Sequence, residues 1–241
     1  MKNFIGLIVC ATVTLGGAVS AQGPPRAVQV KTVDLGLAAR FAVLAGTQVT
    51  NTASATVING DLGEWPIAVV PTGFTFSVTP GPGIVRGSRH IGTVTAEVAK
   101  AYLTIAYYDA AGRPPTAPTL VSAQNLAGLT FHPGVYKSNT SLNITGGDVT
   151  LNGRGVYIFQ MGSALTVNTV ARVLLTGGAV ASDVFWQVGS SASLFSNSEF
   201  KGTILANTSI TLNNGPGATM VGRALARSGN VTLNFSTITR P

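Results

Sequence analysis

Six short segments of the chain share roughly one pattern of polar and apolar positions: polar, polar, apolar, then Thr, Asn or Ser. They are Thr47-Gln48-Val49-Thr50, Thr140-Ser141-Leu142-Asn143, Ser163-Ala164-Leu165-Thr166, Ser190-Ser191-Ala192-Ser193, Thr208-Ser209-Ile210-Thr211 and Gly229-Asn230-Val231-Thr232. In the C-terminal part they recur about once per twenty-odd residues, the mark of a structural repeat. Side chains alternate along a strand, so the apolar third residue points one way and its neighbours the other. Stacking such strands builds a sheet with one apolar face and one face of small, uncharged hydroxyls and amides.

From Leu129 to Pro241 this alternating piece is one of three in an irregular repeat. A second kind is apolar throughout: Tyr157-Ile158-Phe159-Gln160, Val184-Phe185-Trp186-Gln187, Thr203-Ile204-Leu205-Ala206 and Arg223-Ala224-Leu225-Ala226. A third ends in Gly: Val149-Thr150-Leu151-Asn152-Gly153, Val173-Leu174-Leu175-Thr176-Gly177, Glu199-Phe200-Lys201-Gly202 and Thr219-Met220-Val221-Gly222. Three strands per turn with Gly or Asn at the corners predict an all-β solenoid, a three-sided β-helix. The same unit occurs once near the N-terminus, as Phe41-Ala42-Val43-Leu44-Ala45, Val49-Thr50-Asn51-Thr52 and Thr56-Val57-Ile58-Asn59-Gly60.

A non-repeating insert separates that copy from the others. Residues 61–92 are rich in Pro, Gly and Thr and read as an irregular loop region capping one solenoid end. Residues 95–112 read as a helix, with Thr95 as N-cap and Glu97 at the positive end of the helix dipole. Val98, Ala101, Tyr102, Ile105 and Tyr108 recur at helical spacing and predict its apolar stripe. Gly112 followed by Pro114-Pro115 ends it. Asp109 falls in the last turn, where the dipole disfavours an acid. A strand buried on both sides is a continuous apolar run, whereas a strand with one wet side alternates. The helix is therefore expected over the apolar pieces, and the alternating pieces are expected to face solvent.

The open face then carries three columns. The central one is Thr50, Asn143, Thr166, Ser193, Thr211 and Thr232. On one side run Thr52, Thr145, Asn168, Phe195, Asn213 and Asn234, and on the other Gln48, Ser141, Ala164, Ser191, Ser209 and Asn230. None of them is Lys, Arg, Asp or Glu, whereas the third pieces include Glu199 and Lys201. Stacked strands repeat at ~4.7–4.9 Å, close to the repeat of oxygens in ice. Thr is stiff at χ1, so its methyl and hydroxyl are held in place. Water over the methyls is caged while hydroxyls and amides anchor it. Thr and Asn ladders also stabilise β-helices by cross-strand bonds with no ligand at all. The pattern alone leaves both readings open.

Composition narrows the classes. Charged residues are 10% of the chain and Gly numbers 29, while apolar residues are too abundant for disorder. The formal net charge is +7, but the basic residues are scattered singly and lack interleaved aromatics, so nucleic acid is not an expected partner. Lys2, the apolar run Phe4 to Val19 and the small residues Val19-Ser20-Ala21 read as a secretory signal over residues 1–21. Residues 22–241 are then a single secreted domain, with no stable membrane insertion. Cys10 is the one cysteine and lies in that signal, which leaves the exported chain without disulfides or thiol ligands.

Several segments together resemble the microbial family of secreted ice-binding proteins found in fungi, diatoms and bacteria. They are Asp34-Leu35-Gly36, Phe41-Ala42-Val43-Leu44-Ala45-Gly46, Asn59-Gly60-Asp61-Leu62-Gly63, Ala106-Tyr107-Tyr108-Asp109-Ala110-Ala111-Gly112-Arg113 and Pro133-Gly134-Val135-Tyr136. To these the C-terminal part adds Val184-Phe185-Trp186-Gln187-Val188-Gly189-Ser190-Ser191, Phe200-Lys201-Gly202 and Gly222-Arg223-Ala224-Leu225-Ala226-Arg227. The resemblance spans about Val33 to Pro241. It implies a right-handed discontinuous β-helix with a long helix alongside, in which the N-terminal coil packs out of order against C-terminal coils. It also implies one ice-binding face. The more active members carry Thr-Ala/Gly-x-Thr/Asn there; this chain matches loosely, with Ser or Gln at several second positions, Ser193 at a fourth and the bulky Phe195 on the face.

The resulting expectation is a non-enzymatic, monomeric ice-binding protein without cofactor or metal, whose partner is an ice surface and its ordered water. The expected contacts are Thr50, Thr52, Asn143, Thr145, Thr166, Asn168, Ser193, Thr211, Asn213, Thr232 and Asn234. The alternative is a secreted β-helix that binds or cleaves a polysaccharide, for which Asp61 and Glu64 are the candidate carboxylate pair. His90 and His132 read as solvated loop residues rather than a catalytic pair, and neither has metal-ligand partners at useful spacing.

Overall fold

The computed structural model describes residues 29–52, 56–66, 71–74, 83–116, 120, 125–212 and 217–241. The signal expected over residues 1–21 lies outside them. The described strands pair in parallel and wind into a three-faced solenoid with one long helix on its flank. Among the described residues no helix is long and apolar enough to cross a membrane.

The face under the helix stacks Gly134–Ser138, Tyr157–Met161, Val184–Val188, the C-terminal halves of Glu199–Ala206 and Thr219–Ala226, and then Phe41–Ala45. Here the chain is discontinuous: Val43 pairs with Ala224 and Leu44 with Leu225, so the first coil sits beside one of the last. All five residues of Phe41–Ala45, Tyr157–Met161 and Val184–Val188 are buried. Alternate side chains enter either the solenoid interior or a second core beneath the helix, as the continuous apolar pieces require.

Two of the third pieces do not stay separate. Glu199–Ala206 and Thr219–Ala226 run as single strands through Gly202 and Gly222, so the third face and the helix face merge there. Gly202 has φ +110°, and a Cβ on Gly222 would lie 1.9 Å from the Gly202 carbonyl oxygen. Stacked glycines let two strands turn a corner without losing their ladder.

Residues 61–92 are not an irregular loop throughout. Asp61–Glu64 pairs with Phe41–Ala45, Arg89–Ile91 pairs with Asp61–Glu64, and Gly83–Val85 pairs with Thr56–Asn59. The segment adds rungs to the solenoid because the exposed edge of the first coil offers unpaired backbone groups that a parallel strand satisfies.

The helix spans Val94–Gly112, and its N-cap is Thr93, whose hydroxyl accepts the Ala96 N–H at 3.3 Å, two residues before the expected cap. The expected stripe faces outward: Tyr102 is 41% exposed, Tyr108 59% and Ile105 62%. The buried stripe is Ala96, Ala99, Leu103, Ala106 and Ala110, with Lys100 and Tyr107. The sheet beneath is already filled by Phe41, Leu44, Ile158, Phe185, Leu205 and Leu225, so a close-packed helix has room for alanines rather than for a second layer of large side chains. Asp109 now has a role: it accepts Arg113 Nη2 at 2.6 Å, and Arg113 also donates to the carbonyls of Lys31 and Thr32. The acid holds the arginine that straps the N-terminal segment across the helix end.

Inside the solenoid the rung spacing stacks aromatic rings. Phe159 and Trp186 have centroids 4.2 Å apart and planes at 12°, with Tyr136 continuing the stack on one side and Phe200 tilted at 45° on the other. Trp186 Nε1 donates to the Lys201 carbonyl at 3.0 Å, which satisfies its buried polar atom.

Candidate functional site

The alternating pieces form a six-stranded sheet. In space the order is Leu142–Ile144, Leu165–Val167, Ala192–Leu194, Ile210–Leu212, Val231–Leu233 and Val49–Asn51. Val49, Leu142, Leu165, Ala192, Ile210 and Val231 are at most 1% exposed and point inward as the alternation predicts.

The register aligns the central column. Asn143 pairs with Thr166, Thr166 with Ser193, Ser193 with Thr211, Thr211 with Thr232 and Thr232 with Thr50. All six are half-buried, the exposure of side chains standing close together on an open sheet. The out-of-order first coil places Thr50 beside Thr232, making a run of three threonines with Thr211. Thr50 Oγ1 donates to Thr232 Oγ1 at 3.2 Å, and Asn230 Nδ2 donates to the same oxygen at 2.9 Å. With both lone pairs engaged, the Thr232 proton is left for a partner beyond these two.

The ladder extends into both flanking columns. The carbonyls of Ala164, Ser191, Ser209, Asn230 and Gln48 accept backbone N–H groups from the neighbouring strands at 3.0–3.1 Å. On the other flank the N–H groups of Asn168, Phe195, Asn234 and Thr52 bond the preceding rung at 2.8–3.0 Å. Three columns are thus held in register, and Asn213 lies outside the described residues. Thr145, at the edge, gives its N–H to Asn125 Oδ1 at 3.0 Å, and its carbonyl accepts Asn125 Nδ2 at 2.8 Å.

Sequence reasoning missed both ends of this face. Asn125 bridges to Asn143 and Thr72 bridges to Thr50, while Asn51 N–H bonds the Thr72 carbonyl at 2.9 Å. Both lie in non-repeating segments, so no periodic signal marks them. Each caps an edge that would otherwise recruit another strand. Asn51, in an inward column, is buried with its amide satisfied by Gly73 O at 2.8 Å and Thr56 Oγ1 at 2.7 Å.

Charge is kept off the face by geometry as well as by composition. Arg227, at the corner leading into the ladder, bonds Asn207 Oδ1 at 2.6 Å and lies 4.6 and 4.7 Å from the ring centres of Tyr107 and Tyr108. That stacking holds the guanidinium against the helix.

Two buried ionisable groups brace the same end. Lys100 Nζ donates to the carbonyls of Ala226 and Arg227; burial, helped by the Arg227 charge, pulls its pKa down to about 7. Glu64 accepts the Val49 N–H at the start of a ladder strand. Burial pushes its pKa up to about 7 against the opposing effect of that bond.

The other candidates do not assemble. Asp61 is held by Arg40, His90 and the Ser88 N–H, while Glu64 faces the core, so the two carboxylates do not flank a cleft. His90 is not a solvated loop residue: it lies half-buried in the strand Arg89–Ile91, edge-on to Phe41. His132 is exposed beside the opposite end of the solenoid, with Nδ1 2.9 Å from the Asn152 carbonyl. Seven rungs separate those ends on the helix face, roughly 33 Å at the usual strand spacing. Among the described residues no group of three or more His, Cys, Asp or Glu could hold a metal ion.

A protein-family profile described as ice-binding-like matches residues 43–239. The ice-binding protein of Colwellia sp is 36% identical over 238 residues, covering 93% of this chain and 88% of that one. That of Flavobacterium frigoris (strain PS1) is 35% identical, covering 87% and 76%. Among solved structures, an ice binding protein from an Antarctic Biological Consortium superposes with a TM-score of 0.81 at 42% identity, over 90% of this chain and 95% of that one. One from the Antarctic ascomycete Antarctomyces psychrotrophicus gives 0.76 at 35% identity, over 87% and 98%.

Proposed function

Since the chain belongs to the ice-binding-like family, we propose that it adsorbs to ice through the six-stranded ladder face and so restrains ice growth and recrystallisation. The observation that carries this is the face itself: columns held in backbone register on six parallel strands, half-exposed or exposed and, among the described residues, free of charge. Thr50, Thr232 and Thr211 form a run at one end of its middle column, which Ser193, Thr166 and Asn143 continue. Thr52, Asn168, Asn234 and Thr145 flank them, and Asn213, outside the described residues, is proposed with them from the sequence.

The mechanism needs no chemistry. Methyls order the water above them, while hydroxyls and amides tie that water to the sheet at the rung spacing. A face already rigid loses little entropy when it meets a crystal. Adsorbed molecules pin the front, which must bulge between them, and a curved front grows only at lower temperature. Ser193 lacks the methyl and Phe195 puts a bulky ring in a flanking column, so activity is real but moderate for the family. The leader over residues 1–21 sends the protein outside the cell, where ice forms.

Purified protein should give thermal hysteresis and block recrystallisation, and Thr211→Tyr, which raises a ring from the middle of the column, should remove most of both with the fold intact. Full activity in that variant would place the site on another surface. Wild-type protein inert towards ice would end this reading.

A further inference from the structure

The third face is divided into two unlike halves. From the strand Glu199–Ala206 towards the Leu142 end its outward positions include Glu199, Lys201, Arg172 and Asp148, the last two joined by an ion pair at 2.7 Å. Towards the opposite end the register aligns two outward columns with no charge within them. One is Thr219, Thr237, Val57 and Ile84; the other is Val221, Thr239 and Asn59. Their inward neighbours Met220, Ile238, Ile58 and Thr56 are buried, so these columns stand on the solvent side; Ile84 is 50% exposed. Asn59 Nδ2 donates to Thr239 Oγ1 at 2.9 Å and Asn59 Oδ1 accepts Arg86 Nη1 at 3.4 Å, so amide and hydroxyl are fixed across the rungs and a guanidinium bounds the patch at that end. Most of the patch is β-branched and therefore stiff at χ1.

The patch and the ladder face are supplied by the same coils. Thr50 and Val57 belong to one coil, Thr232 and Thr237 to another, and Thr211 and Thr219 to a third. The coils that supply the three adjacent threonines of the ladder supply the uncharged columns round the corner. We propose that this patch is a second ice-contacting surface, so that the protein engages ice planes of two orientations from one end of the solenoid. The proposal rests on the ice-binding reading of the ladder face. It follows from the same physics: methyls and hydroxyls at the rung spacing, charge confined to the margins at Glu199, Lys201 and Arg86, and a rigid sheet beneath.

The test is binding of fluorescently labelled protein to a single-crystal ice hemisphere, with thermal hysteresis measured in parallel. Wild type should mark two families of planes. Thr237→Lys, or Thr239→Lys should the first fold poorly, should lose one family and keep the other, with an unchanged melting temperature. Thr211→Tyr should show the complementary loss, and Thr150→Lys, on the charged half, should lose neither. A wild type that marks one family only, or Thr237→Lys and Thr239→Lys variants with unaltered planes and hysteresis, would overturn the second surface and leave the ladder proposal standing. Loss of all binding in Thr237→Lys, with Thr211→Tyr unaffected, would keep the patch and overturn the ladder. No ice binding by wild type would remove both.

Discussion

The ladder face and the helix face belong to the same coils and use the same parallel backbone ladder, yet they have opposite fates. On the helix face both sides of the sheet are dry, and alternate residues of Val184–Val188 fill two different cores. On the ladder face one side is wet, and three residues per rung suffice: two point in and one out. The backbone does not distinguish a structural wall from a working surface. What covers it does, and the covering helix approaches closely because its inner stripe is mostly alanine.

The comparison breaks most visibly at Phe185, fully buried beneath the helix. Phe185→Ala should cost about 3–5 kcal/mol in chemical denaturation and loosen the helix. Thr211→Tyr on the facing surface should leave stability nearly unchanged while removing ice activity. Equal loss of stability in both would mean that the ladder face is structural.

The next largest effect is on pH dependence at the braced end. Glu64 binds its proton more tightly folded than unfolded, since its pKa rises from 4.5 to about 7. Its contribution is fully present below pH 4.5 and is lost as pH rises towards 7. Lys100 moves from 10.5 to about 7. Between pH 7 and 10.5 the folded chain has shed this proton while the unfolded chain keeps it, so stability rises with pH there. Together they predict a minimum near pH 7, with limbs of at most about 3 kcal/mol on the acid side and about 5 kcal/mol on the alkaline side. Glu64→Gln should flatten the acid limb and Lys100→Met the alkaline one in urea titrations across pH; a profile that neither variant alters would refute the assignment.

The smallest effect sharpens the boundary of the ladder face. Its strands turn away through left-handed residues, among them Val170 at φ 57°, a costly conformation for a β-branched side chain. Val170 is 64% exposed, so Val170→Gly gives up little packing and should raise stability by about 0.5–1 kcal/mol. A rise in melting temperature without a change in thermal hysteresis would confirm that the corner only bounds the face.

Much of this was legible in the sequence. Alternation at Leu165-Thr166-Val167 against continuity at Val184-Phe185-Trp186 assigns the two faces, because a period of two records which side of a strand is wet. The helix was legible in existence but not in orientation. Apolar residues lie on both of its sides, so Val98, Tyr102 and Ile105 made as good a stripe as Ala99, Leu103 and Ala106, and only the depth of the groove beneath selects the smaller one. Strands in 61–92 were hidden because they pair with an edge rather than repeat a motif. Asn125 and Thr72 were hidden for the same reason.

By itself the sequence determined the three-sided coil, the identity of the open face and its freedom from charge, since these follow from local periodicity and composition. The tertiary structure decided which rungs are neighbours. It set Thr50 against Thr232 and Thr237 against Val57, because an edge left open by the last coil is closed by the first, and pairing across 180 residues leaves no local mark. That choice concentrates the threonines at one end of the solenoid and draws the ladder threonines and the Thr219, Thr237 and Val57 column from the same coils.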